Sequence, residues 1–314
     1  MNPSLQLEVI HETRYDYAAP VSLAHHLAHL EPLQDEHQKL LAFELIIQPG
    51  PDQCRDGVDA LGNAERHFSL AQPHERLRVR AISRVEVASR FTALEPEAAP
   101  SWDALAQRLR YVARAPFEPA VEFALPSPYV PRLSGLREYG RATFKPGRPV
   151  AAAAIELMQR IHADFKYETE STDIDTTLAE VLASRRGVCQ DFAQLMAGVM
   201  RMQGLPARYV SGYLLTHAPD GGPAMLGTDG SHAWVQAWCP GTPGVPADGW
   251  LDLDPTNNLV PATGHVRLAV GRDYGDVTPL RGVIRGAGQH TMTVGVTTRV
   301  VAASAPSPER ELLS

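Results

Sequence analysis

Arg185-Arg186-Gly187-Val188-Cys189-Gln190-Asp191-Phe192 places a cysteine just after a glycine turn and at the start of an amphipathic run. From Phe192 the apolar residues Leu195, Met196, Val199 and Met200 follow at helical spacing, and Gly204 and Pro206 close the run. The spacing predicts a helix whose first turn carries Cys189. Unpaired backbone N–H groups and the helix dipole favour an anion at such a position, and the anionic form of a cysteine is the nucleophilic thiolate. Free cysteine is otherwise among the most buried residue types and often packs as a small hydrophobe. Glycine before Cys189, and Gln190-Asp191 after it, speak for the nucleophile.

A second stretch, Ser231-His232-Ala233-Trp234-Val235-Gln236-Ala237-Trp238-Cys239, is closed by Pro240-Gly241 and reads as a strand. Alternation sets His232, Trp234, Gln236 and Trp238 on one face and Ala233, Val235, Ala237 and Cys239 on the other. A lone strand histidine is more often structural than catalytic; beside a candidate nucleophile it becomes a candidate base. A third stretch, Gly249-Trp250-Leu251-Asp252-Leu253-Asp254-Pro255-Thr256-Asn257, is a short strand ending at Pro255. An acid at such a strand end suits an imidazole orienter. Asp252 and Asp254 share a face, so alternation leaves both open.

These three stretches, with Gly204-Leu205-Pro206-Ala207-Arg208-Tyr209-Val210-Ser211-Gly212-Tyr213, together resemble the transglutaminase-like superfamily, in the bacterial branch that carries a β-rich N-terminal domain. The resemblance implies an α+β, papain-like core. Its acid precedes Pro-Thr, which selects Asp254. It implies Cys189 as nucleophile, His232 as general base and then acid, and Asp254 as orienter, with none of the three substituted. The activity implied is acyl transfer on amide bonds through a Cys189 thioester, as a peptidase, an amidase or a transglutaminase. Its partners would be a protein or peptide substrate and, for transamidation, a primary amine. The alternative is a catalytically silent binding or scaffolding module of the same fold, against which the intact triad counts. Tyr167 and Gln190 are candidate oxyanion donors beside the Cys189 N–H, Asp191 is a candidate helix cap, and Trp234, on the His232 face, is a candidate wall of the substrate channel. Gly271-Arg272-Asp273-Tyr274-Gly275-Asp276-Val277 also resembles the bacterial branch and reads as a polar loop.

The 314 residues allow two domains, and 44% hydrophobic with 21% charged content is ordinary for a globular chain. A net charge of −7 argues against nucleic acid or an anionic membrane as partner. No window reads as a transmembrane helix, and Glu8 and Glu12 interrupt any secretory leader. Cys54, Cys189 and Cys239 are too few for a disulfide framework, so the expected compartment is the cytoplasm.

Strand alternation at Leu5–His11, Leu45–Ile47 and Leu77–Val87 predicts a small antiparallel β domain over 1–95. Past the linker Leu94–Pro100, residues 96–301 are expected to form the catalytic domain, and 302–314 a disordered tail. Helices are predicted at Trp102–Ala113, Val150–Phe165 and Thr177–Ser184. Strands are predicted at Ala207–Thr216, Ala233–Trp238, Trp250–Asp254, Arg267–Val270 and His290–Val300. His25 and His29 have the four-residue spacing of helical zinc ligands but fall in the β domain, where a packing cluster is the expectation. Asp173, Asp175 and Asp229 are too sparse for a calcium loop, and no Gly-rich phosphate cradle is present. No metal or cofactor is therefore expected, and Cys54 and Cys239 are expected to be inert.

Overall fold

Alternation at the start of the chain runs on into one strand of 25 residues, β1 (Ser4–Ala28), with Leu7, Val9, His11 and Thr13 buried on one face. The computed structural model describes residues 4–169, 176–215, 225, 230–286 and 288–301; the predicted tail from 302 lies outside these. Two antiparallel partners of β1 and two outer strands follow it: β2 (Gln38–Gln48), β3 (Gln53–Val58), β4 (Ala64–Leu70) and β5 (His74–Ala88). The first half of β1 pairs with β5, which pairs with β2. The register breaks between Asp16 and Val21, where Pro20 has no N–H to give. Beyond the break β1 pairs with β4, and β4 with β3.

The second unit runs through α1 (Trp102–Arg108), α2 (Ser134–Gly140), α3 (Val150–Asp164), β6 (Lys166–Tyr167), α4 (Leu178–Ser184), β7 (Arg186–Gly187) and α5 (Cys189–Met202). Four antiparallel strands follow: β8 (Ala207–Leu214), β9 (His232–Trp238), β10 (Trp250–Leu253) and β11 (His265–Gly271), in spatial order β10-β9-β8-β11. The architecture is α+β with a transglutaminase-like, papain-like core. The helix opened by Cys189 is buried nearly all round, including its polar Asp191, Gln194 and Arg201. Its Phe192, Leu195, Met196 and Val199 share one hydrophobic core with Ala233, Val235 and Ala237 of β9, the strand face that alternation set opposite His232.

One predicted helix end holds and another does not. Thr177 caps α4, accepting from the Glu180 N–H while Glu180 returns a bond to Thr177. The helix predicted to Ala113 stops at Arg108, because Tyr111 and Val112 meet no core: Tyr111 is 93% exposed.

The larger departure concerns the division at residue 95. After α6 (Tyr274–Val277), β12 (Leu280–Gly286) and β13 (His290–Val300) return to the N-terminal sheet and pair with β1, with Ala24 opposite Ile284 and Val9 opposite Thr298. Residues 96–301 therefore do not form one continuous catalytic unit. A long central strand needs partners on both edges, and the end of the chain supplies the second edge. The two units also share an apolar layer, in which Leu7, Val9, Val85 and Val87 meet Tyr213, Val266 and Leu268. Among the described residues no helix is long and apolar enough to cross a membrane.

Candidate active site

Gly187 and Val188 turn the chain from β7 into α5. A Cβ on Gly187 would stand 2.8 Å from the Asp191 carboxylate, so only glycine allows that side chain to fold back. Asp191 Oδ2 then accepts the Val188 N–H at 2.8 Å and fixes the helix start, as expected of a cap. Cys189 is thereby held in the first turn. Tyr167 reaches the same place from β6, whose parallel pairing sets it opposite Gly187, with its ring edge-on to Phe192. Cys189, Gln190, Tyr167 and His232 line one cleft of about 510 Å³, together with Tyr209, Ser211, Met225 and Tyr274.

His232 opens β9 and is fully buried on its side chain. Its Nε2 lies 2.9 Å from Asp254 Oδ2. The other ring nitrogen, Nδ1, is buried and makes no hydrogen bond among the described residues. Cys189 lines the same cleft and acts on this ring by charge. Burial alone would lower the proton affinity of the imidazole. The charges of Asp254 and Cys189 outweigh burial and push its pKa up to about 10.

Asp254 is a hub. Its Oδ1 accepts the N–H groups of Thr256 (2.9 Å) and Asn257 (3.2 Å), and its Oδ2 accepts Asn257 Nδ2 (2.9 Å) and His265 Nε2 (3.2 Å) besides His232. Burial disfavours the carboxylate, but His232 and His265 more than compensate and hold its pKa well below the usual range. The backbone turn at Pro255 aims these N–H groups back at the carboxylate, an Asx turn in which local sequence builds half of the hub. Asp252 takes a different partner: its Oδ1 accepts Trp234 Nε1 at 2.9 Å.

Trp234 does not wall the cleft. It is wholly buried, stacked on His232 (ring centroids 6.1 Å, 26° between planes) and edge-on to His265 (5.2 Å, 86°). The strand runs inward from His232, so the next residue on its face lies beneath the site. Gly212, opposite His232 on β8, makes room: a Cβ there would collide with the Trp234 ring and the Val266 carbonyl. His265 escaped sequence analysis, since one histidine on a strand carries no local signal. The loop Gly271–Val277 contains the single turn α6, capped by Asp273 through the Gly275 N–H at 2.9 Å, and it sets Tyr274 into the cleft.

His232, Asp254 and His265 are close enough to be considered as metal ligands. The five hydrogen bonds already directed at the two Asp254 oxygens leave no acceptor site turned toward a cation. His25 sits in β1, and His29 lies just past it with Nδ1 on the Thr278 carbonyl at 3.3 Å, so the two share no helical face. Asp173, Asp175 and Asp229 lie outside the described residues. Cys239 is fully buried, and burial pushes its thiol pKa up; Cys54 is exposed on β3 in the other unit.

Residues 137–255 match the family model described as the transglutaminase-like superfamily, and residues 7–86 match the bacterial transglutaminase-like N-terminal region. An uncharacterised protein of Mycobacterium tuberculosis is 37% identical over 283 residues, covering 88% of this chain and 86% of that one. A crystal structure from Cytophaga hutchinsonii, described as a candidate cysteine protease, shares the fold with a TM-score of 0.71 at 20% identity, covering 97% of this chain and 93% of that one. A protein-glutamine gamma-glutamyltransferase of Pseudomonas aeruginosa is 33% identical over 117 residues, or 36% of this chain and 17% of that protein.

Proposed function

The chain belongs to the transglutaminase-like superfamily, and from that premise we propose that it is a cysteine-dependent acyl-transfer enzyme acting on amide bonds, with hydrolysis as its main outcome. The observation that carries the reading is His232 held by Asp254 through Nε2 at 2.9 Å, with its Nδ1 unpartnered among the described residues and its ring sharing one cleft with Cys189. A protonated imidazole in this cleft is the proton donor that a cysteine nucleophile needs for its leaving group.

The Cys189 sulfur attacks the amide carbonyl, and backbone N–H groups in the first turn of α5 receive the developing oxyanion. Tyr167 and Gln190, both at the cleft, are the side-chain candidates for a further donor. His232 gives its proton to the leaving nitrogen as the C–N bond breaks, and the acyl group remains on Cys189 as a thioester. The ring, now neutral, takes a proton from water; the resulting hydroxide attacks the thioester, releasing the acid and restoring the thiolate. Asp254 keeps the ring in one orientation through both steps. Hydrolysis is preferred over transamidation because it needs no organised site for a second substrate. The transferase relative in Pseudomonas aeruginosa keeps the glutamine side chain among the amides to be tested.

The test is to incubate the purified chain with a peptide library containing glutaminyl side chains, with and without a labelled primary amine. Free ammonia, new peptide termini and incorporated label are measured separately. Cys189→Ala is expected to lose all three while keeping the fold; turnover retained in this variant rejects the mechanism.

A further inference from the structure

We propose that the N-terminal β unit is a positioning element of the active site, holding the rear of the His232–Asp254 pair through two polar arms. The proposal rests on the acyl-transfer reading above. One arm starts at Arg90, just past β5. Its buried guanidinium makes an ion pair with Asp252 at 3.3 Å, and Asp252 accepts the Trp234 indole N–H at 2.9 Å. Trp234 in turn packs against His232, offset and tilted by 26°, and edge-on to His265. The other arm starts in the loop between β1 and β2. Asp35 receives both guanidinium nitrogens of Arg267 (2.6 and 2.9 Å), and the Gln38 side chain bonds the Arg267 N–H and carbonyl (2.8 and 2.7 Å). Arg267 stands two residues beyond His265 on β11, so this clamp fixes the strand that delivers His265 to Asp254 Oδ2.

The arms meet. Asp35 also pairs with Arg90 at 3.3 Å, and a cavity of only about 10 Å³ separates Val87 and Arg90 from Trp234, Asp252 and His265. No hydrogen bond locks the His232 ring from Nδ1, so its tilt depends on Asp254 at one end and Trp234 on its face. A stacked indole tethered by its own N–H cannot slide, and a catalytic ring displaced by an ångström loses up to about a hundredfold in rate. Arg90, Asp252 and Trp234 are thus positioning residues: none lines the cleft.

Among the described residues, the charged and titratable groups facing the His232 ring are Cys189 from α5, Asp254 after β10 and His265 from β11; Asp252 stands behind Trp234. Loosening the ring weakens its bond to Asp254, so the imidazolium should lose its proton at lower pH. The experiment uses the full chain, with p-nitrophenyl acetate as probe and ¹H–¹⁵N NMR of the His232 ring as a second readout. Arg90→Gln and Trp234→Phe are expected to lower kcat roughly ten- to a hundredfold with KM unchanged, and to move His232 deprotonation to lower pH. Arg90→Lys should restore most of both. If Arg90→Gln loses the native fold, Trp234→Phe, which keeps a ring and deletes one N–H, decides alone. Native kcat and native His232 titration in the folded variants overturn the proposal. A native chain whose His232 is neutral at pH 7, or whose turnover survives Cys189→Ala, overturns the acyl-transfer reading instead.

Discussion

Trp234 donates its indole N–H to Asp252 at 2.9 Å, and this bond separates two acids that the strand pattern leaves equivalent. Asp254, one repeat further, is free of the indole and holds His232 and His265 instead. One acid holds the His232 ring directly, and the other holds the residue packed beneath it.

Asp254→Ala should therefore cost far more than Asp252→Ala. Losing the orienter leaves the imidazole in the wrong tautomer part of the time, a defect of up to about ten-thousand-fold in triad enzymes. Asp252→Ala frees the supporting indole and the Arg90 guanidinium and should cost roughly a hundredfold at most. Steady-state kinetics on both variants decides; a larger loss in Asp252→Ala would put the orienter at the wrong acid.

The alkaline limit of activity should report His232. Its pKa in the folded chain is raised from the ordinary 6.5 to about 10, so its contribution to stability is fully present below 6.5 and is lost as pH rises through about 10. Asp254, held below its ordinary 3.8, contributes above that value and stops contributing as pH falls through its folded pKa. Turnover should fall as pH approaches 10, and Asp254→Asn, which removes the largest charge raising the imidazole pKa, should bring that fall to lower pH. An unmoved alkaline limb in a folded Asp254→Asn chain contradicts the assignment.

Gly212→Ala should destabilise the chain. The new methyl meets the Trp234 ring and the Val266 carbonyl at distances no real Cβ tolerates, and a carbonyl on a paired strand cannot swing away. Overpacking of this kind costs about 1–3 kcal/mol or more. Thermal unfolding should show a Tm lower by several degrees, and an unchanged Tm would mean that β8 and β11 yield easily.

Activity should survive EDTA and be lost to N-ethylmaleimide. Every acceptor site of Asp254 is already taken by an N–H donor, which leaves the histidine pair nothing to share with a cation. Activity lost on chelation and restored by calcium would reveal an ion site elsewhere in the chain.

Cys189 and His232 were legible as candidates because each sits in a short string with a readable local geometry, a helix start and a strand start, whereas Asp254 was chosen over Asp252 only through the family resemblance, and the structure places it on His232 Nε2. The helices α3 and α4 and the strands β8 to β11 were legible from periodicity, to within a residue or two at most ends. Trp234 was misread as a channel wall because alternation names a face without saying whether the strand runs toward solvent or into the core. His265, Arg90 and Asp35 were invisible for a different reason: their roles depend on pairings across the sheet and between units, such as Asp35 with Arg267, and no local pattern encodes a partner more than two hundred residues away. The return of β12 and β13 to β1 is the same kind of long-range register.

The central claim is that Cys189 carries the acyl group. Mixing the chain with p-nitrophenyl acetate, quenching in acid within the first turnover and locating the added acetyl by mass spectrometry of the digest tests it directly. The account predicts acetyl on Cys189, removable by hydroxylamine, with Cys54 and Cys239 unmodified. Turnover of the ester with no acetyl on Cys189, or with equal acetyl on the exposed Cys54, would contradict it.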